Sequence, residues 1–210
     1  MENNNIGRLF IVTAPSGAGK TSLVKALLKL CPQIQISISH TTRYPREDEK
    51  DGVDYFFVNN EIFENLKNNG EFLENAECHG AKYGTAKTPV DSTLKSGKDI
   101  ILEIDYQGAL IVKNIFKEAI SIFIIPPSME ILKQRLVARG QNSTVEINGR
   151  LTAAKEEIRH LEKFDYVIIN ENFDKALDNL KSIYDNSDES KKLVTANQKE
   201  IFQNVINSIK

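Results

Sequence analysis

The chain of 210 residues is poor in cysteine and histidine, lacks long apolar runs, and carries charges that nearly cancel. Two cysteines, Cys31 and Cys78, are too few for a disulfide framework and form no CxxC pair, so they read as ordinary thiols of a reducing cytoplasm. The histidines His40, His79 and His160 are scattered without metal-ligand spacing. No stretch approaches the roughly 18 apolar residues of a spanning helix, and no basic start leads into an apolar segment, which argues against a membrane anchor or signal peptide. A net charge of −2 and a pI near 6.0 supply no bulk attraction for nucleic acid or anionic lipid, so any anion must be held by local clusters. Repeats and low-complexity segments are absent too.

What is present is the balance of a globular chain. Apolar residues make up 40% and charged residues 27%, enough to bury a core, and the length suits one domain or one core with small insertions. Leu9–Val12 is a short apolar run that predicts a strand buried on both faces. After a glycine turn, Leu23, Ala26, Leu27 and Leu30 recur at helical spacing until Pro32. Further buried strands are predicted at Ile100–Ile104, Ile120–Ile125 and Tyr166–Ile169, with helices over Gln107–Phe116, Ser128–Ala138 and Val145–Phe164 between them. That alternation predicts an α/β fold with a parallel sheet flanked by helices.

From Ile34 to about Pro89 the pattern changes. Ile34, Ile36 and Ile38 alternate with polar residues, as in a half-exposed strand. A charged turn from Pro45 to Gly52, a strand at Tyr55–Val58 and a short helix at Glu61–Asn69 follow. Together they predict a small mixed α+β insertion. After Tyr184 a polar tail is followed by Phe202, Val205, Ile206 and Ile209 on one helical face, which would dock on the core.

Ala14-Pro15-Ser16-Gly17-Ala18-Gly19-Lys20-Thr21 fits the phosphate-loop pattern GxxxxGK[ST] except for alanine at the first position. In such a loop successive backbone N–H groups curl around a β-phosphate, and glycines permit the dihedrals and the close approach. The helix that begins near Lys20 adds its positive dipole end. Lys20 would reach the β/γ oxygens and the Thr21 hydroxyl would ligate Mg2+. Gly17 and Gly19 remain, so Ala14 weakens the text of the motif and not its mechanism. By itself the loop specifies a nucleotide and leaves the reaction open.

The segments Ser37-Ile38-Ser39-His40-Thr41-Thr42-Arg43-Tyr44-Pro45-Arg46 and Asp51-Gly52-Val53-Asp54-Tyr55-Phe56-Phe57-Val58 narrow the choice. With Phe72-Leu73-Glu74, Tyr83-Gly84-Thr85, Leu102 to Gly108, Pro126-Pro127-Ser128, Arg135 to Gly140 and Val167 to Asn170, the chain closely resembles guanylate kinase over about residues 7–185. The resemblance implies a P-loop core, a GMP-binding insertion at about 37–89, a helical lid at about 130–160, and a C-terminal segment at 186–210 outside the domain. It implies reversible, Mg2+-dependent transfer of the ATP γ-phosphoryl to GMP, and to dGMP, in purine nucleotide metabolism. It also implies a cytoplasmic enzyme, monomer or homo-oligomer, with small-molecule substrates and no nucleic-acid or membrane partner.

Arg43 and Arg46 are paired guanidinium forks of the kind that suits a phosphate dianion, and Tyr55 and Tyr83 match the family's phosphate-contacting tyrosines. Guanine differs from adenine in its N1–H and exocyclic amine. A buried carboxylate facing those donors would be left unpaired against AMP, which makes it a strong discriminator. Glu74 matches the family's guanine-reading glutamate, although on spacing alone it would read as a solvated charge. Ser39 and Thr85 match hydroxyls able to donate to O6. Glu103 and Asp105, two apart at the end of a strand, should share a side. They resemble an acidic pair, one member serving the guanine amine and the other the metal through water. The resemblance favours Asp105 for the base and Glu103 for the metal, while Asp105 as a helix cap is the plainer alternative. Arg135 and Arg139 are i and i+4 on a helix; with Arg150 they resemble the arginines that clamp the transferring phosphoryl. Asn170 resembles a residue beside the adenine. Closure of such a lid should await GMP, which would keep water from attacking ATP.

Three rivals carry less. Guanylate-kinase-like scaffold domains grip phosphopeptides, but they typically lack an intact phosphate loop. A kinase for AMP or a ribose phosphate is opposed by Glu74 with Ser39 and Thr85. A P-loop GTPase would need an NKxD-like segment, which is missing.

Overall fold

The structure is a computed structural model that describes residues 6–78, 80–140 and 143–186, together with Val205 and Asn207. In chain order its elements are β1 (Leu9–Thr13), α1 (Lys20–Leu30), β2 (Gln35–Ser37), β3 (His40–Thr41), β4 (Phe56–Phe57), α2 (Asn60–Asn68), β5 (Phe72–Cys78), β6 (Ala81–Ala86) and α3 (Lys87–Lys95). Then come β7 (Ile100–Glu103), α4 (Tyr106–Ile115), β8 (Ile120–Ile125), α5 (Met129–Ala138), α6 (Thr144–Ile158), β9 (Tyr166–Ile169) and α7 (Phe173–Tyr184). The chain forms two compact units, one of residues 1–11 and 32–120, the other of residues 12–31 and 121–210. Strand β1 runs from the first into the second.

The first unit holds the order β2-β7-β1, with β2 parallel to β7 through Gln35↔Ile100 and Ser37↔Leu102. It also holds a separate four-stranded sheet of order β4-β3-β6-β5. Most of that sheet is the antiparallel β5–β6 hairpin, onto which Phe63 of α2 packs through Phe72 at 4.8 Å between ring centres. Helix α4 lies against β5, and α3 against β2 and β7. Pro89 falls in the first turn of α3, where a missing N–H costs nothing.

The second unit holds the order β1-β8-β9, with β8 and β9 parallel from Ile122↔Tyr166 to Ile125↔Ile169. β1 is buried throughout and β8 nearly so, as parallel strands covered on both faces require. Side-chain caps set the helix starts: Ser128 accepts from Ile131 N at 3.1 Å, Asn172 accepts from Lys175 N at 3.0 Å, and Ser143 with Glu146 forms a capping box. Helices α5 and α6 pack on each other through Leu132, Leu136, Ile147 and Ala154.

Several expectations are corrected. The strand expected over Ile34–Ile38 is Gln35–Ser37 and belongs to the parallel sheet, not to the mixed one; past the buried Ile34, Ser37 and Ser39 are buried and Ile36 and Ile38 only half-buried, so from Gln35 onward the alternation runs opposite to hydrophobicity. The helix expected over Val145–Phe164 ends at Ile158, and Leu161–Lys163 form a 3₁₀ turn. Leu161 and Phe164 continue the apolar stripe past that stop, with Phe164 edge-on to Phe123 at 4.9 Å, so periodicity alone could not reveal the break. The hairpin, α3 and α7 had no counterpart in the sequence pattern. Of the expected apolar tail, Val205 is helical and buried, while Phe202, Ile206 and Ile209 lie outside the described residues.

Candidate active site

In the second unit, β1 delivers the chain into the loop Ala14–Thr21. Gly17 and Gly19 take φ of 92° and 96°, left-handed values that a side chain rarely accepts. Their lack of a Cβ also leaves room for neighbours: a carbon on Gly17 would meet Leu136 at 3.0 Å, and one on Gly19 would meet Asn170 Nδ2 at 2.4 Å. Ala18 N donates to Pro15 O at 3.0 Å, closing the turn. Gly19 is the N-cap of α1 and has no side chain to cap the first amides, so Lys20 and Thr21 open a helix whose positive end is turned to the loop.

The expected arginines on α5 and α6 differ in setting. Arg150 donates to Ser16 Oγ at 2.6 Å, so α6 reaches the loop directly. Arg135 donates through Nη2 to Asn170 O at 2.8 Å, while its Nη1 is buried without a partner. Burial lowers its pKa, yet an arginine so placed remains charged and has a donor left for an anion. Arg139 closes α5 as its C-cap, one turn beyond Arg135, and is exposed. Asn170, only 5% exposed, ties three segments together: its amide donates to Ala18 O at 2.8 Å, its N–H to Ile125 O at 2.8 Å, and its carbonyl accepts Arg135. The resemblance pointed to an adenine neighbour; in this structure the side chain braces the loop.

In the first unit, Arg43, Arg46, Tyr55 and Tyr83 come together. Tyr55 and Tyr83 stack edge-on at 5.9 Å, and the Arg43 guanidinium lies 5.5 Å over the Tyr55 ring and 5.8 Å over that of Phe57. Glu49, a residue that sequence reasoning missed, bridges the forks. Its Oε1 accepts from Arg43 Nη2 at 2.8 Å and lies 3.4 Å from Arg46 Nη1, while Oε2 accepts from Arg46 N at 2.8 Å. Only an acid inside the charged Pro45–Gly52 turn could have hinted at it. Burial of Arg43 works against its charge, but the hydrogen bond it donates to Glu49 and then the nearby Tyr83 outweigh it, so the guanidinium is held more firmly charged. Burial, and next the Glu103 carboxylate, push the Tyr55 phenol upward, which keeps it a hydrogen-bond donor.

Beside this cluster, Glu74 is 4% exposed on β5, opposite Thr85 on β6. Thr85 Oγ1 donates to Glu74 Oε1 at 2.5 Å, and the Ser39 hydroxyl lies 3.5 Å from Thr85 Oγ1. With the Thr85 proton committed to Glu74, the long Ser39 contact is a donation from Ser39 to Thr85 Oγ1. Tyr83 and Thr85 are two apart on β6 and share a face, which sets the arginine–tyrosine cluster next to the Glu74–Thr85 pair. Asp105 is the N-cap of α4, its Oδ1 accepting from Gly108 N at 2.8 Å. Glu103, where β7 ends, is half-buried. A carboxylate offers about four acceptor sites, so the cap leaves Asp105 capacity for a second partner. Among the described residues no three His, Cys, Asp or Glu gather as a metal cluster. Paired guanidinium forks with phenols suit a phosphate dianion, and a buried acid with hydroxyls suits a base edge that donates hydrogen bonds.

The sequence model of the guanylate kinase family matches residues 6–187. The guanylate kinase of Methylobacillus flagellatus is 57% identical over 177 residues, covering 84% of this chain and 88% of that one. That of Coxiella burnetii is 51% identical over 176 residues, covering 84% and 85%. The crystal structure of guanylate kinase from Anaplasma phagocytophilum superposes with a TM-score of 0.73 at 32% identity, covering 95% of each chain. With the family match running through both units, and relatives above half identity aligned over most of their own length, this chain belongs to the guanylate kinase family.

Proposed function

We infer that the chain phosphorylates GMP with ATP, as its membership of the family supports, and we propose how its residues divide the work. The observation that carries the acceptor assignment is the buried Glu74 carboxylate, oriented by Thr85 at 2.5 Å. Guanine satisfies such an acid with N1–H and the 2-amino group, whereas adenine would leave it unpaired at a cost of about 1–3 kcal/mol or more. Ser39 serves O6 by swinging its proton away from Thr85, whose own proton stays on Glu74 and holds that carboxylate to the base edge. Arg43, Arg46, Tyr55 and Tyr83 hold the acceptor phosphate. These contacts leave the ribose 2′ position unread, which supports dGMP as a second acceptor.

The loop Ala14–Thr21 cradles the ATP phosphates, Lys20 neutralises charge on the β/γ oxygens, and Arg135, Arg139 and Arg150 clamp the transferring group. Asn170 shapes the loop and borders the adenine. The Thr21 hydroxyl is a hard oxygen donor of the kind magnesium prefers, and bound with ATP that ion would neutralise charge developing on the phosphates. Asp105 is assigned to the guanine amine and Glu103 to the metal side through water. The insertion at about 37–89 would act as the GMP-binding part and the α5–α6 region, about 130–160, as the lid. Transfer itself needs in-line positioning and exclusion of water, with no covalent intermediate on the protein. A cytoplasmic setting is supported by Cys31 and Cys78, neither of which forms a disulfide, and among the described residues no helix is long and apolar enough to cross a membrane.

The test is a coupled ADP-release assay with magnesium-ATP and a panel of monophosphates. GMP should far exceed AMP, and ATP alone should hydrolyse slowly. Equal rates with GMP and AMP would remove the assignment of the acceptor.

A further inference from the structure

We propose that Gly108 is a specificity-determining positioning residue, present because any side chain there would displace the Glu74 carboxylate. This rests on the reading of Glu74 as the guanine reader. Gly108 is the third residue of α4, buried where that helix lies against β5. Its backbone is ordinary helix, so no positive φ calls for glycine, and alanine would favour the helix more. Space is the constraint. A carbon added at Gly108 would lie 2.5 Å from Glu74 Oε2, 2.9 Å from its Cδ and 3.4 Å from Asp105 Oδ1.

The clash must be relieved by whichever partner moves more easily. The first turn of α4 is pinned by Gly108 N to Asp105 Oδ1 at 2.8 Å and Ala109 N to Asp105 O at 2.9 Å. The carboxylate is the end of a rotatable side chain, so it yields first. Its shift would pull on the 2.5 Å bond from Thr85 and turn Oε2 away from the base edge. Gly108 thus lets two acids, Glu74 and Asp105, approach one helix turn. It touches no substrate and acts through Glu74.

Steady-state kinetics of Gly108→Ala test the proposal, using GMP, IMP (which lacks the 2-amino group) and ATP. KM for GMP should rise about 10- to 100-fold and the preference for GMP over IMP should shrink. KM for ATP should stay within about twofold, and the thermal midpoint should hold or increase, since alanine is the better helix former. Adding Glu74→Asp, which draws the acid back by one methylene, should recover part of the loss in the Gly108→Ala background while harming the parent. Strictly additive losses, a lowered midpoint with both KM values raised, or unchanged base preference in Gly108→Ala would each overturn the role of Gly108. If Glu74→Gln leaves base preference unchanged, the guanine-reading premise fails instead.

Discussion

In the phosphate-loop unit the groups proposed to meet an anion are main-chain amides of the consecutive residues Ser16–Thr21, braced by Asn170 at Ala18 O and by Arg150 at Ser16 Oγ. In the acceptor unit they are side chains gathered from loops and separate strands: Arg43 and Arg46, Tyr83 and Thr85, and Glu74. The two solutions suit different ligands. Phosphates look alike from every side and are satisfied by a curl of N–H groups, whereas a purine edge must be told from a near copy. The first design rests on local backbone geometry, which needs its glycines. The second depends on strand register.

Lys20→Met should break this contrast most severely, because it removes the one side-chain charge the loop brings to the donor phosphates. Turnover should fall by about 10²–10³-fold or more with circular dichroism unchanged, and near-normal turnover would refute the assignment. Glu49→Gln should act on the other unit alone. Loss of the charge-assisted bridge should loosen both arginine forks and raise KM for GMP by about 5- to 20-fold, leaving KM for ATP as it was. A lower KM for GMP would mean that Glu49 competes with the phosphate rather than organising its site. Asn170→Ala should raise KM for ATP several-fold, in the range of about 3 to 10, and cost roughly 1–3 kcal/mol in urea unfolding, since Ala18 O loses its buried donor. A shift in KM for GMP alone would contradict the bracing role.

The smallest effect concerns acid stability. His40, between Phe56 at 4.9 Å and Phe72 at 5.5 Å, has an Nδ1 without a partner; burial lowers its pKa below the ordinary 6.5, and Asp51 opposes the shift in part. With the folded value depressed, the unfolded chain binds the proton first. The neutral ring's contribution is therefore complete above about pH 6.5 and is lost as pH falls through the folded pKa. His40→Gln should flatten the stability profile below pH 6.5 by less than about 1 kcal/mol, read from denaturation midpoints at several pH values. A profile that stays as steep would assign the acid sensitivity elsewhere.

The parallel strands of the second unit and the start of α1 were legible because apolar runs and a glycine turn are local signals. Ile120–Ile125 and Tyr166–Ile169 are strands over their whole expected lengths. The first unit was harder to read. Its hairpin hides behind a register irregularity between Phe72 and Glu74, and its buried serines reverse the usual hydrophobic alternation. Glu49 was invisible because an acid in a charged turn looks like solvated surface until the fold sets both arginines around it. Gly108 was hidden for the converse reason, since the atom that forbids a side chain there belongs to Glu74, on another element.

The residue order alone determined the phosphate loop and the alternating α/β core, because contiguous backbone chemistry and local periodicity need no distant partner. Only the folded chain decided which hydroxyl would orient the buried acid: the irregularity in β5 sets Glu74 opposite Thr85, where an unbroken ladder from Phe72↔Ala86 would have set it opposite Gly84. Cross-strand partners are fixed by register, and register is settled by packing over the whole sheet.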